Sequence, residues 1–75
     1  MPSRRLSFVV CVRNDGYQAS LERRKIYIAL PDVDAARHDQ VRVVDESGED
    51  YLYPAEYFAA IELPQHVRKA MQAAA

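Results

Sequence analysis

The chain has 75 residues, 49% of them apolar and 28% charged, with a formal net charge of −1. That length makes one domain with a thin core, because a chain of this mass buries only about 60% of the surface it exposes when unfolded. A near-neutral balance argues against a general nucleic-acid binder, which carries a strong basic excess.

Residues 1–5 read as a flexible polar tail. Arg4-Arg5 ahead of an apolar run looks like the start of a signal peptide. The run stops at Arg13-Asn14-Asp15, has no small-residue cleavage site and is too short to cross a bilayer. A core strand over 6–13 is expected instead, from its β-branched content. Phe8, Val10 and Val12 fall on one face and Ser7, Val9 and Cys11 on the other, so both faces are expected to be covered. Cys11 is the only cysteine, and no Cys/His spacing suits zinc. It reads as a small buried hydrophobe in a reducing, cytoplasmic protein.

Asn14-Asp15-Gly16 signals a turn. A long connection follows, anchored by Leu21. Residues 25–30 alternate, with Ile26, Ile28 and Leu30 opposite Lys25, Tyr27 and Ala29, and Pro31 ends the strand. Residues 32–40 read as a loop with room for one helical turn after Asp32 or Asp34. Residues 41–45 form the next strand, Glu46-Ser47-Gly48-Glu49 a hairpin turn, and 50–53 the return. Pro54 is expected to stop that strand and open a 3₁₀ turn over 55–58. A last strand spans 59–63. Pro64 opens a terminal helix whose Val67, Met71 and Ala74 make one narrow apolar stripe. Five short strands, one tight hairpin and one 3₁₀ turn predict a mainly β, strongly bent barrel over 6–63 with a C-terminal helix over 64–75.

Leu52-Tyr53-Pro54-Ala55-Glu56-Tyr57-Phe58-Ala59-Ala60-Ile61 resembles the closing segment of SH3 domains, and Arg24 to Leu30 resembles the SH3 strand that leaves the long first loop. The chain is also similar to small bacterial and phage proteins that share a Lys-Ile-Tyr strand and an Asp-Glu-x-Gly-x-x-Tyr-x-Tyr-Pro hairpin. These resemblances imply an SH3-like barrel and no activity, since a fold does not carry a function. By the SH3 likeness, a peptide groove maps onto Tyr17, Pro54 and Tyr57, with Tyr53 beside them. The chain has no Trp and has Cys-Val-Arg-Asn-Asp where SH3 domains carry Ala-Leu-Tyr-Asp-Tyr, so polyproline recognition is not implied.

Three functional readings compete. The first is an unknown protein or peptide partner on the Tyr17, Tyr53, Pro54, Tyr57 surface, since tyrosine buries area while keeping one polar end. Tyr51 and Tyr53 share a strand face opposite Leu52. If Leu52 points inward, their rings form an outer patch; the competing arrangement lays the terminal helix over them. The second is nucleic acid held by Arg23, Arg24 and Lys25, with Arg4, Arg5 and Arg13 beside aromatic rings. The third is a structural subunit or homo-oligomer using the terminal helix. The acids Asp45, Glu46, Glu49 and Asp50 do not match a calcium-loop spacing and read as a solvated turn. No metal, cofactor or membrane span is expected. His38 and His66 have no sequence-local nucleophile, and the two glycines make no phosphate loop, so catalysis is not expected.

Overall fold

The computed structural model describes residues 7–74; the expected tail, with Arg4 and Arg5, lies outside them. The chain runs β1 (Ser7–Cys11), β2 (Ile26–Leu30), α1 (Val33–Arg37), β3 (Gln40–Val44), β4 (Asp50–Pro54), a 3₁₀ turn (Ala55–Tyr57), β5 (Phe58–Ile61) and α2 (Gln65–Ala74). All five strands join one antiparallel sheet in the order β4-β3-β2-β1-β5. The sheet is open: among the described residues no ladder pairs β4 with β5, so barrel closure is absent at the backbone level. Beside the 3₁₀ turn that joins the two edge strands, the Tyr53 and Phe58 ring centroids lie 6.1 Å apart.

Alternation decides which side chains meet. The register Val9↔Tyr27, Ala29↔Val43 and Val41↔Tyr53 puts these residues on one face. With Cys11 and Leu21 they form the main core, and Tyr57 closes it. The opposite face carries Phe8, Val10, Ile26, Ile28, Val44 and Ile61. Phe8 is fully buried there, so the expectation that both faces of β1 are covered holds. Its cover includes α2: the Arg68 guanidinium sits 4.9 Å from the Phe8 ring centroid, and Met71 borders a cleft with Ile26, Ile28 and Val44. The terminal helix therefore lies on the face opposite the tyrosines and does not cover them. Deleting residues 64–75 is expected to cost about 2 kcal/mol, the value of half-burying two apolar side chains and exposing the sheet beneath. A lowered thermal midpoint with unchanged β-sheet circular dichroism checks it.

Three local points are decided by the structure. Residues 32–40 are not simply a loop. Asp32 caps α1 by accepting from Ala35 N–H at 2.9 Å, and the helix turns Ala35 into the interior. Pro54 ends β4 as expected, as the strand's own last residue and not the first residue beyond it. Its imide nitrogen faces the open edge, where no ladder bond is lost. Leu52 points outward, 39% exposed, while Tyr53 enters the core at 3%.

Candidate functional site

The site is assembled where the long β1–β2 connection folds against the β3–β4 hairpin. Within that connection Tyr17 N–H donates to Asn14 O, and Leu21 N–H donates to Tyr17 O, each at 2.8 Å. Asn14 Nδ2 donates to Leu21 O at 3.0 Å. Arg24 adopts φ 70°, and its N–H returns to Cys11 O at 2.7 Å, closing the loop onto the end of β1. The buried Leu21 side chain pins this loop to the core.

The hairpin is a three-residue turn. Gly48 N–H donates to Asp45 O, Asp45 N–H donates to Glu49 O, and Gly48 takes φ 85°, a left-handed conformation that glycine tolerates best. Asp45 is buried, which corrects its reading as one of a set of solvated turn acids. Its Oδ1 accepts from Ser47 N–H at 2.8 Å and Ser47 Oγ at 2.5 Å, and its Oδ2 accepts from the Tyr53 hydroxyl at 2.6 Å. Burial pushes the Asp45 carboxyl pKa up, but the hydrogen bonds from Ser47 and Tyr53 outweigh it and hold it below its ordinary value. The converse acts on Tyr53, whose phenol is pushed up to about 12 by burial and by donation to Asp45. The aspartate two residues before a serine in a turn was the legible signal for this contact, because Asp side chains there bond the backbone two residues on.

A second set of bonds locks hairpin to loop. Glu46 N–H donates to Ser20 O at 3.1 Å. The Tyr27 hydroxyl donates to Glu46 at 2.6 Å and accepts from Glu22 N–H at 2.7 Å. Lys25 Nζ binds the same Glu46 carboxylate at 2.6 Å. Lys25 and the hydroxyl of Tyr27 together hold the Glu46 carboxyl below its ordinary pKa.

On this frame the structure brings Tyr17, Tyr53 and Tyr57 together. The Tyr17 ring meets Tyr53 edge-on at 5.0 Å and 84°, and Tyr57 at 5.9 Å and 74°. Tyr57 donates to Asp15 O at 2.9 Å, and the Arg13 guanidinium lies 5.2 Å from its ring centroid. Tyr53 and Tyr57 are buried and Pro54 is half-buried, so these residues form a floor. The accessible rings are Tyr17 at 37% and Tyr51 at 49% exposure. Between them lies a shallow recess of about 390 Å³, bordered by Tyr17, Ser20, Asp45, Tyr51, Leu52 and Tyr53. The sequence placed Tyr51 with Tyr53 in one patch, but the expected binding set held Tyr53 and not Tyr51, and it did not single out Leu52.

Of the expected basic stripe, Arg4 and Arg5 lie outside the described residues. Lys25 is paired with Glu46, and Arg13 with Asp15 at 2.7 Å and Glu56 at 3.9 Å. Arg23 and Arg24 are exposed in the loop. Cys11 is buried and its Sγ lies 3.2 Å from Arg13 O; burial raises the thiol pKa and keeps it protonated. Among the described residues no cluster of His, Cys, Asp and Glu could hold a metal ion, and no helix is long and apolar enough to cross a membrane.

The fold and this surface define a small antiparallel β domain with a loop-clamped tyrosine cluster. No protein-family model, curated protein or solved structure matches the chain.

Proposed function

We propose that the protein is a non-catalytic binding module on an SH3-like framework, engaging a protein or peptide through the surface of Tyr17 and Tyr51 above Tyr53, Pro54 and Tyr57, bordered at the edge strand by Leu52. The framework reading is supported by the strand order, in which the last strand pairs with the first and a 3₁₀ turn connects the two edges. One observation carries the functional reading. Tyr17 is held against two buried tyrosines, yet it and its neighbours Tyr51 and Leu52 remain exposed around a recess. Rigid aromatic side chains lose little entropy on binding and are the common anchors of interfaces.

Tyr17→Ala/Tyr51→Ala is expected to weaken partner binding by at least about 2 kcal/mol, the usual threshold for an interface anchor. Both residues are partly exposed, so the circular dichroism spectrum should be retained. The check is affinity capture from a native lysate treated with nuclease, comparing the variant with the parent chain. Identical partners in both would count against the reading.

A further inference from the structure

The open edge of β4 lies beside the recess, and the ladder geometry shows which of its groups are available. Two bonds bracket the β3–β4 pairing: Asp45 N–H to Glu49 O at 3.0 Å and Ala55 N–H to Asp39 O at 2.9 Å. Hydrogen-bonded and non-bonded pairs alternate along an antiparallel ladder. With Val43↔Tyr51 and Val41↔Tyr53 in register, Tyr51 and Tyr53 bond to β3. Asp50 and Leu52 therefore turn N–H and C=O outward, while Pro54 has no N–H and its C=O heads the 3₁₀ turn as the N-cap. Asp50, Tyr51 and Leu52 are all exposed. An edge strand of this kind is a template for another strand.

The recess beside that edge has a definite charge. Asp45 is the one ionisable carboxylate on its wall, and no cation lines it. The carboxylate is held ionised by neutral donors, Ser47 and Tyr53, and it forms no ion pair among the described residues. Glu46 and Asp50 nearby are already paired, with Lys25 and Arg42. Hydrogen bonds from neutral groups stabilise a carboxylate without cancelling its charge, so a negative potential persists in the recess. The faces of Tyr17 and Tyr51 add to the attraction for a cation.

We propose that β4 accepts an added antiparallel strand from a partner protein, with alternating basic and apolar residues, and that a lysine or arginine of that strand enters the recess; this rests on the binding-module reading above. The pleat assigns the pattern. A residue opposite Leu52 exchanges backbone bonds with it and points its side chain to the same face as Leu52, which suits an apolar residue. Its neighbours stand opposite Tyr51 and Tyr53 and point to the recess side, which suits a cation. Pro54 has no N–H to give and limits the added ladder to a short segment. A second copy of this chain fits less well, because β4 itself delivers no cation.

The test uses the full chain, isotope-labelled for NMR, and three end-capped nonapeptides: alternating lysine and valine, alternating glutamate and valine, and the lysine peptide N-methylated at its valines. The lysine peptide is expected to give saturable shifts at Tyr51 and Leu52 and to slow Leu52 amide exchange by about tenfold or more, as expected for a newly bonded N–H. The glutamate and N-methylated peptides should bind at least about tenfold more weakly, a difference of 1.4 kcal/mol. Equal binding by either control, absence of binding by the lysine peptide, or sedimentation showing self-association that protects Leu52 without peptide would each overturn the proposal. Shifts confined to Tyr17, with Leu52 exchange unchanged, would overturn strand addition and leave the aromatic module standing. Failure of the module itself is read separately, in the capture comparison of Tyr17→Ala/Tyr51→Ala.

Discussion

Leu21→Ala is expected to destabilise the protein by about 2–5 kcal/mol, the range for truncating a fully buried leucine. Leu21 is 1% exposed and packs in the main core although it belongs to no strand or helix. A domain of 75 residues has stability on the order of 5–10 kcal/mol, so this one side chain accounts for a large share. The thermal midpoint should fall by roughly 10–20 °C. The effect should also be functional. Leu21 N–H donates to Tyr17 O and Leu21 O accepts from Asn14, so loosening Leu21 releases the segment that presents Tyr17. Thermal denaturation measures the first effect. Tyr17 amide exchange at a temperature where the variant remains folded measures the second: exchange faster than global unfolding allows is the expected result. A variant within about 1 kcal/mol of the parent, below the range for a buried leucine, would contradict the assigned anchor.

Asp45→Ala is expected to cost about 3 kcal/mol, because it removes the acceptor of two Ser47 donors and one buried tyrosine hydroxyl. Asp45→Asn should cost less, since the amide keeps an acceptor oxygen and its NH₂ can donate to the Tyr53 hydroxyl. The pH dependence has a fixed sign. The Asp45 carboxyl is held below its ordinary pKa by Ser47 and Tyr53 against the opposing effect of burial, so the unfolded chain binds more protons than the native one at acid pH. The stabilisation is complete above the ordinary aspartate value near 4 and is lost as pH falls through the lower folded value. Asp32 and Glu46 shift in the same direction, through Ala35 N–H with Arg42 and through Lys25 with Tyr27, respectively. Urea titrations between pH 3 and 7 should show the parent losing stability steeply below about pH 4 and Asp45→Asn losing less. Equal slopes would mean that Asp45 carries no proton linkage. Tyr53→Phe combined with Asp45→Ala should be less destabilising than the sum of the two, because each variant removes the same hydrogen bond.

The strands, the hairpin and the terminal helix were legible because each has a local cause. The alternation in 25–30, Gly48 in the turn and the proline at 64 act through backbone geometry and period, which a sequence displays directly. Boundaries moved by one or two residues, and at Pro54 for a definite reason: proline is excluded from a ladder only where its nitrogen faces a partner. The candidate site was half legible. Tyr17, Tyr53 and Tyr57 do converge, but Tyr53 and Tyr57 became the floor and Tyr51 and Leu52 the accessible part. Alternation alone placed Tyr51 and Tyr53 on one face without saying that the face was the core. In the expected basic stripe, Lys25 and Arg13 are paired with acids brought near by folding, Glu46 from the hairpin and Glu56 from the 3₁₀ turn, which local sequence does not display.

By itself the sequence determined a small, mainly β domain, its strand count, its tight hairpin and a helix after Pro64, since these follow from period and turn chemistry. Tertiary structure alone decided the rest. It chose Tyr27 and Ala29 for the main core and left Ile26 and Ile28 to face α2, a choice between two apolar faces that the pattern leaves equal. It buried Asp45 against the packed Tyr53 and Ser47 hydroxyls, and left Glu49 in solvent with the hydroxyl of the exposed Tyr51. It left β4 at an open edge because strand order is a property of pairing between distant segments, and no local stretch of residues encodes it.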